Sequence, residues 1–227
     1  MENQSTEVRH TLDKGATFWF TGLSGAGKST LSSAVKAKLD KMLGDSNKIF
    51  ILDGDVIRKG LNKDLGFSAE DRAENIRRIS EVSKLFSMSG QICFVAFISP
   101  YSKDRDFAKE IHRESQIPFY ECFINSPLDV CESRDVKGLY KKARAGEIKN
   151  FTGVSDPYES PSQPDLDIKT DQLSLQQSVD FVIKKMIDDG IIRDNSKPRV
   201  TESLVEKVSD EDRKELNALK VLDVNVE

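Results

Sequence analysis

The chain has few cysteines and histidines, no surplus of positive charge and no long apolar run, and each absence closes a class of function. Its three cysteines, Cys93, Cys122 and Cys131, are an odd number, and none belongs to a CxxC pair. A disulfide framework or a thiolate zinc site is therefore not expected. Two of them lie in apolar runs that read as strands, which points to reduced core thiols in a cytoplasmic or nuclear protein. His10 and His112 are the only histidines. They stand in no ligand or triad spacing, so both read as structural or surface residues. Thirty-four basic residues against thirty-eight acidic ones leave a net charge of −4. That excludes broad attraction to nucleic acid or anionic lipid, so neither nucleic acid nor a membrane is expected as a partner. Any anion chemistry has to come from local basic clusters. No stretch approaches the ~20 apolar residues of a membrane-spanning helix. The opening "MENQSTEVRHTLDKGA" is polar, carries acids and has no signal-type apolar core; residues 1–14 read as a flexible arm. No repeat recurs at a fixed period.

What is present fits one globular domain: 37% of residues are hydrophobic and 32% charged. Short β-rich runs alternate with amphipathic stretches. The strand candidates are "ATFWFTG" (16–22), "KIFILDGD" (48–55), "QICFVAFISP" (91–100), "PFYECFINSP" (118–127) and "LDIKT" (166–170). Helical spacing marks 28–43, 72–89, 104–115, 128–135 and 174–189. This alternation predicts an α/β fold with three layers, a five-stranded, mainly parallel sheet between helices. The runs "FVAFI" and "IFIL" are apolar at successive positions, as in strands buried on both faces. Two segments fit no core. Residues 136–164 are basic and then rich in Gly, Pro and Ser, and read as a mobile excursion with one short helix. Residues 193–227 turn charged and weakly helical, with Ser209 as a cap ahead of Asp210 and Glu211.

The residues from Gly22 to Ser29 match G-x-x-x-x-G-K-[ST] without a gap, between a predicted strand and a predicted helix. In such a P-loop the glycines let successive N–H groups face a polyphosphate, and the helix N-terminus adds about half a positive charge. Lys28 supplies a point charge to the β- and γ-phosphates, and the Ser29 hydroxyl is a Mg²⁺ ligand. The motif says that a polyphosphate is held, not what happens to it. A GTPase needs Asn-Lys-x-Asp late in the sheet, and "NKDL" (62–65) has the wrong last residue and comes too early. A small kinase needs an acceptor pocket and a closing lid.

Asp53 and Asp55 in "LDGDVIRKGL" follow a strand at the carboxyl edge, where open α/β sheets bind ligands. Asp53 is assigned to the metal and Asp55 to the acceptor hydroxyl; a surface Asp-Gly turn is the bland alternative. Next come Arg58 and then "LGFSAEDRAENIRR", offering Phe67, Arg72, Asn75, Arg77 and Arg78. Arg72 and Asn75 share a helix face. An aromatic to stack on a base and arginines to grip a phosphate or sulfate suit a nucleotide-like acceptor. A solvated helix capped by Ser68 and Asp71 explains the same residues. "FISP" (97–100) ends a third strand on the same edge, and its Ser99 could bind ligand or cap a turn. Arg134, Lys137, Lys141, Lys142, Arg144 and Lys149 form a basic stretch that reads as a cationic lid over phosphates.

Together these stretches resemble the adenylylsulfate kinase family. "GLSGAGKST", "LDGDVIRKGLNKDLGFSAEDRAENIRR", "FISPY" and "RDVKGLYKKARAGEIKNFTG" occur in that family's order and spacing, over roughly residues 14–190. "RDVKGLYKKARAGEIK" is most similar to the kinase half of animal-type bifunctional 3′-phosphoadenylyl-sulfate synthases. The resemblance implies a P-loop NTPase-type fold, with a kinase domain over 15–192 and, over 193–227, a linker or remnant leading towards a sulfurylase domain. It implies Mg²⁺-dependent transfer of the ATP γ-phosphate to the 3′-hydroxyl of adenylyl sulfate. By motif, Gly25, Ala26, Gly27, Lys28, Ser29 and Thr30 would hold the ATP phosphates, with Arg134, Thr170 and Asp171 near its base. Asp55, Arg58, Phe67, Arg72, Asn75, Ile98, Ser99, Lys137 and Phe151 would line the adenylyl-sulfate pocket, Phe67 and Phe151 sandwiching the adenine. Asp55, Lys28 and Lys137 would act on the reacting groups, and Ser29 and Asp53 would face the metal. A serine at the Ser99 position has been discussed as a phosphate carrier in some relatives; direct transfer is the simpler course. The resemblance also implies a homodimer, and an ATP sulfurylase, covalent or separate, as partner. The nearest rival is another small-molecule or nucleoside-monophosphate kinase with the same loop. A P-loop module that binds nucleotide without transfer is a rival of another class.

Overall fold

The structure, a computed structural model, describes residues 10–44 and 46–195. Of the arm expected over 1–14, residues 1–9 lie outside the described residues, as does the capped helix after Ser209. The sheet is built around β2 (Ala16–Thr21), every residue of which is buried. It pairs in parallel with β4 (Ile92–Ala96) on one side and β5 (Phe119–Asn125) on the other. β3 (Ile49–Asp53) and β6 (Leu166–Lys169) complete the order β3-β4-β2-β5-β6. All four pairings are parallel, so every carboxyl end of the sheet points to one edge.

Alternation along β2 divides the core. Phe18 and Phe20 face α1 (Lys28–Leu43) and α7 (Leu175–Asp188), packing with Leu31, Val35, Val182 and Met186. Trp19, Cys93 and Val95 face α3 (Ala69–Met88) and α4 (Ser102–Glu114), packing with Ile76, Ile79 and Ala108. Ser68 caps α3 by accepting from the Asp71 N–H at 3.1 Å, as the sequence suggested. Three shorter helices complete the set: α2 (Gly54–Ile57), α5 (Leu128–Arg134) and α6 (Leu139–Arg144). All three cysteines are buried and free, and burial pushes each thiol's pKa up. No helix among the described residues is long and apolar enough to cross a membrane.

Two sequence expectations change. β1 (His10–Leu12) and β7 (Ile192–Asp194) form a separate two-stranded sheet, backed by the Asp13–Arg193 ion pair at 3.1 Å and by the Asp13 N–H on the Ile191 carbonyl at 3.0 Å. The compact body therefore spans His10–Arg193, wider at both ends than the expected 15–192. Strands this short carry no readable alternation. The 136–164 segment is no loose excursion either. Tyr140, Ala143 and Phe151 are buried in the same core as β2, and three apolar side chains anchor a stretch whose average composition is polar.

His112 on α4 is a core residue. Its Nδ1 donates to the Ala108 carbonyl at 2.7 Å, and its Nε2 lies 2.9 Å from the Thr17 hydroxyl of β2. Burial lowers its pKa below the usual 6.5. As pH falls through that value the unfolded chain takes up a proton that the folded chain refuses, so stability is lost on acidification. The melting temperature is expected to fall between about pH 7.5 and about pH 5.5 by more in the wild type than in His112→Gln. Parallel melting curves for the two proteins check this.

Candidate active site

The P-loop begins where β2 runs out. Gly22 adopts φ 146° with its N–H 3.4 Å from the Ile98 carbonyl, and a Cβ there would lie 2.5 Å from the Ile124 carbonyl oxygen. Gly25 (φ 76°) passes as closely over Cys131, whose carbonyl oxygen would be 2.9 Å from a Cβ. Only glycine satisfies both the left-handed backbone and the contact. Gly27 caps α1 with no side-chain hydrogen bond, and the first turn holds no acid. Its leading N–H groups are thus presented to an anion without local competition. Lys28 is buried, its ammonium donating to the carbonyls of Gly22 at 2.9 Å and Leu23 at 2.7 Å.

Behind the loop, the Arg134 guanidinium reaches the Thr170 carbonyl at 2.9 Å and those of Gly25 and Ala26 at 3.3 and 3.4 Å. The Thr170 hydroxyl donates to the Ala26 carbonyl at 2.7 Å. Arg134 and Thr170, expected near the base of ATP, meet behind the P-loop, and Asp171 follows on the exposed side of that turn.

Asp53 ends β3 and caps α2, accepting from the Asp55 N–H at 2.9 Å. Its other oxygen accepts from the Ser29 hydroxyl at 2.6 Å. One hydroxyl and one carboxylate suit Mg²⁺, which takes its remaining ligands from phosphates and water. No group of three or more His, Cys, Asp or Glu side chains that would make an all-protein site exists among the described residues. Asp55 turns instead to the lid and forms an ion pair with Lys137. Lys137 lies between α5 and α6, where Asp135 accepts from the N–H groups of Tyr140 and Lys141 at 3.0 Å each. The Tyr140 hydroxyl donates to the Ser24 carbonyl at 2.9 Å, tying the lid helix to the P-loop. One member of the basic stretch is used differently from the sequence expectation. Arg144 is held by Glu132 through two bonds of 2.9 Å, so it braces the lid rather than facing phosphates.

The acceptor wall comes from three elements. Phe67 is 58% exposed, with the Arg58 guanidinium 4.5 Å and that of Arg72 5.7 Å from its ring centre. Arg58 is fixed by the carbonyls of Leu65 and Gly66 at 3.2 and 2.9 Å. Arg72 is buried and donates to the Phe67 carbonyl at 3.1 Å and the Asn150 carbonyl at 2.6 Å. It thereby joins the loop of Phe67 to the loop of Phe151, which is itself 8% exposed and packs edge-on to Tyr140. Asn75, beside Arg72 on the buried face, accepts from the Asn62 amide at 2.9 Å. Ile98 is half-buried, and its carbonyl takes the Thr21 hydroxyl at 2.7 Å. Ser99 is 2% exposed, with φ 41°. Its hydroxyl accepts from the Trp19 indole at 3.0 Å. Arg77 and Arg78 stand apart: they pair with Glu74 and Asp64 on the outer helix face.

A sequence model of the family described as adenylylsulphate kinase matches residues 14–169. The chain belongs to the adenylylsulfate kinase family. It is 52% identical over 194 residues to the adenylyl-sulfate kinase of Saccharomyces cerevisiae, across 84% of this chain and 94% of that protein. The probable adenylyl-sulfate kinase of Bacillus subtilis is 52% identical over 179 residues, across 79% and 87%. The Mycobacterium tuberculosis APS kinase CysC, solved in complex with AMPPNP and APS, is 47% identical with a TM-score of 0.72, covering 75% of this chain and 96% of that one.

Sequence reasoning on this kinase missed the residues that support the ligand-facing ones. Arg105 is buried and donates to Glu121 at 2.6 Å, to the Ser99 carbonyl at 2.8 Å and to the Glu159 carbonyl at 2.7 Å. Tyr101 donates to Asp156 at 2.9 Å, and the Tyr158 and Thr21 hydroxyls meet at 2.9 Å. Their common signal was "SDPYE", a compact set of acids and an aromatic inside a stretch otherwise made of small residues.

Lys28 titrates in an accessible range. Burial of the ammonium lowers its pKa to about 8, Lys137 acting in the same direction and Asp53 and Asp55 against it. A polyphosphate favours the charged form. Nucleotide binding at about pH 8.5 is therefore expected to take up protons, and to weaken as pH rises further. Calorimetry in two buffers of different ionisation enthalpy should show a buffer-dependent heat that is absent in Lys28→Met.

Proposed function

We propose that the chain transfers the γ-phosphate of ATP to the 3′-hydroxyl of adenylyl sulfate, with Lys28, Asp55 and Lys137 at the reacting groups. The observation that carries this reading is the Asp55–Lys137 pair. It sets a carboxylate and a lid cation against each other on the sheet edge that also holds the P-loop and the aromatic–arginine wall. Asp55 orients the 3′-hydroxyl and accepts its proton as the oxygen bonds to the γ-phosphorus. The bond to the bridging oxygen breaks and ADP leaves. Lys28 and Lys137 place positive charge beside the transferring phosphoryl group, where positioning and electrostatics supply most of the rate. Ser29 and Asp53 would hold Mg²⁺, which when bound neutralises charge on the β- and γ-phosphates. Phe67 and Phe151 receive the adenine, while Arg58 and Arg72 present their charge to the phosphosulfate.

Direct transfer is supported by Ser99. A hydroxyl that is buried, accepts from Trp19 and sits 3.4 Å from the Phe97 carbonyl is poorly placed to attack phosphorus. The proposal extends to a homodimer and to an ATP sulfurylase, covalent or separate, as the source of adenylyl sulfate.

Incubation with Mg-ATP labelled on the γ-phosphate and adenylyl sulfate, followed by anion-exchange separation, is expected to place label on the 3′-position. Asp55→Ala is expected to lower turnover by about 10²-fold or more while keeping ATP binding. Lys28→Ala is expected to weaken ATP affinity as well. Near-normal turnover in Asp55→Ala would remove that residue from its role. Label appearing only on a nucleoside monophosphate or sugar would transfer the chain to the rival kinase reading.

A further inference from the structure

From the loop that carries Phe151, Asp156 meets Tyr101, which follows Ser99, and Arg72, which is bonded to the Phe67 loop, and no role in the transfer is yet assigned to it. Its carboxylate accepts from the Tyr101 hydroxyl at 2.9 Å, at the chain end of the Ser99 wall. It also stands 3.9 Å from Nε of Arg72, the residue bonded to the Phe67 loop. Both partners are largely buried, with side-chain exposures of 10% for Arg72 and 19% for Asp156. On its own loop, the Asp156 N–H donates to the Phe151 carbonyl at 3.1 Å, and its carbonyl accepts from the Gly153 N–H at 2.8 Å. A bridge between Thr152 and Asp156 closes the turn that carries Phe151.

The segment beyond Asp156 is firmly moored, so its carboxylate is a fixed reference point. Tyr158 bonds to Thr21 at 2.9 Å and lies against Phe123, ring centres 5.9 Å apart. The Glu159 N–H donates to the Pro100 carbonyl at 2.8 Å, and its side chain accepts from the N–H and hydroxyl of Ser102 at 2.7 Å each. Arg105 holds the Glu159 carbonyl at 2.7 Å. These contacts tie residues 156–159 to the carboxyl ends of β2 and β4 and to the start of α4. Arg72, by contrast, reaches its position at the end of a long side chain, and the Phe67 that it supports is exposed.

We propose that Asp156 is a positioning residue for the acceptor: by holding Arg72 from a strap moored to the sheet, it sets the gap between Phe67 and Phe151 that receives the base. This rests on the adenylyl-sulfate reading above. Asp156 does not touch the reacting atoms. At 3.9 Å this is an ionic contact without a hydrogen bond, and because both groups are largely buried it is screened less by solvent than the exposed pairs on the outer face of α3. Small shifts in such a support are felt as misplacement of the bound molecule. The effect should fall on acceptor affinity and leave the nucleotide side alone, because the contacts of Arg134, Thr170 and the P-loop do not pass through Asp156.

Steady-state kinetics of the full chain with Asp156→Asn and Asp156→Ala test this. The asparagine keeps the size of the side chain and an oxygen for Tyr101, and removes only the charge facing Arg72. In both variants the KM for adenylyl sulfate is expected to rise about tenfold with the KM for Mg-ATP unchanged, and in Asp156→Asn the melting temperature is expected to hold as well. A wild-type KM for adenylyl sulfate in Asp156→Asn overturns the proposal. So does a rise in both KM values accompanied by a fall in melting temperature in that variant, which is the signature of a merely structural contact. A wild-type chain that shows no ATP turnover dependent on adenylyl sulfate sinks the functional reading itself, a result distinct from either.

Discussion

The site depends on where one strand stops. β2 is buried along its whole length, so its backbone can leave the sheet only where new partners wait. The Ile98 carbonyl supplies one, taking both the Thr21 hydroxyl and the Gly22 N–H. Gly22 then threads past the Ile124 carbonyl with no room for a side chain. Because the sheet is parallel throughout, this exit lies on the same edge as the ends of β3, β4, β5 and β6, with β5 and β6 running two residues further. Asp53, Ile98, Ser126 and Thr170 consequently surround the loop without any further device. The polyphosphate cradle and the acceptor wall are two consequences of one register.

Two kinds of ionic contact do opposite work around that edge. The Asp55–Lys137 pair is exposed, 65% and 55% by side chain, and such pairs typically contribute within about 1 kcal/mol to stability. Its use is therefore not in holding the fold. It keeps a carboxylate and a cation beside each other at little cost, in a pair that an incoming ligand can separate. Arg105 and Glu121 are the contrast, at 3% and 14% exposure. Removing either would leave an uncompensated buried charge, which is costly. The buried pair braces the sheet edge, and the exposed pair is free to part.

Most of the fold was legible because its signals are local. Buried strands announce themselves by successive apolar residues, and the helix over Lys28–Leu43 begins where the P-loop motif says it must. The P-loop, the Asp53–Asp55 pair and the Arg72–Asn75 face were found for the same reason: short spacing fixes their relation. Three things were not legible. β1 and β7 are three residues each and carry no period. Segment 136–164 looked loose because composition averages over the few buried side chains that decide its fate. Among Arg72, Arg77 and Arg78 the residue type is identical. Residue type and spacing do not separate them; the resemblance singled out Arg72, and the structure shows it turning inward to the Asn150 carbonyl while the other two meet Glu74.

Ser99 shows how far that third dimension can change a residue's meaning. By type it offers a nucleophile or a ligand hydroxyl. In place, its hydroxyl takes the indole N–H of the chain's single tryptophan, and its carbonyl is held by Arg105 at 2.8 Å. A non-glycine residue at φ 41° is strained, and such strain persists only when the surroundings over-determine it. Here the indole, the guanidinium and the Thr21 hydroxyl at 3.4 Å all act on this one residue. The strain cannot serve attack by a hydroxyl that is already engaged. It serves the turn, which swings the chain from β4 to Tyr101 and so brings the hydroxyl of that tyrosine to Asp156. The serine sits in the wall as its corner, with its hydroxyl turned to Trp19 and away from any incoming group.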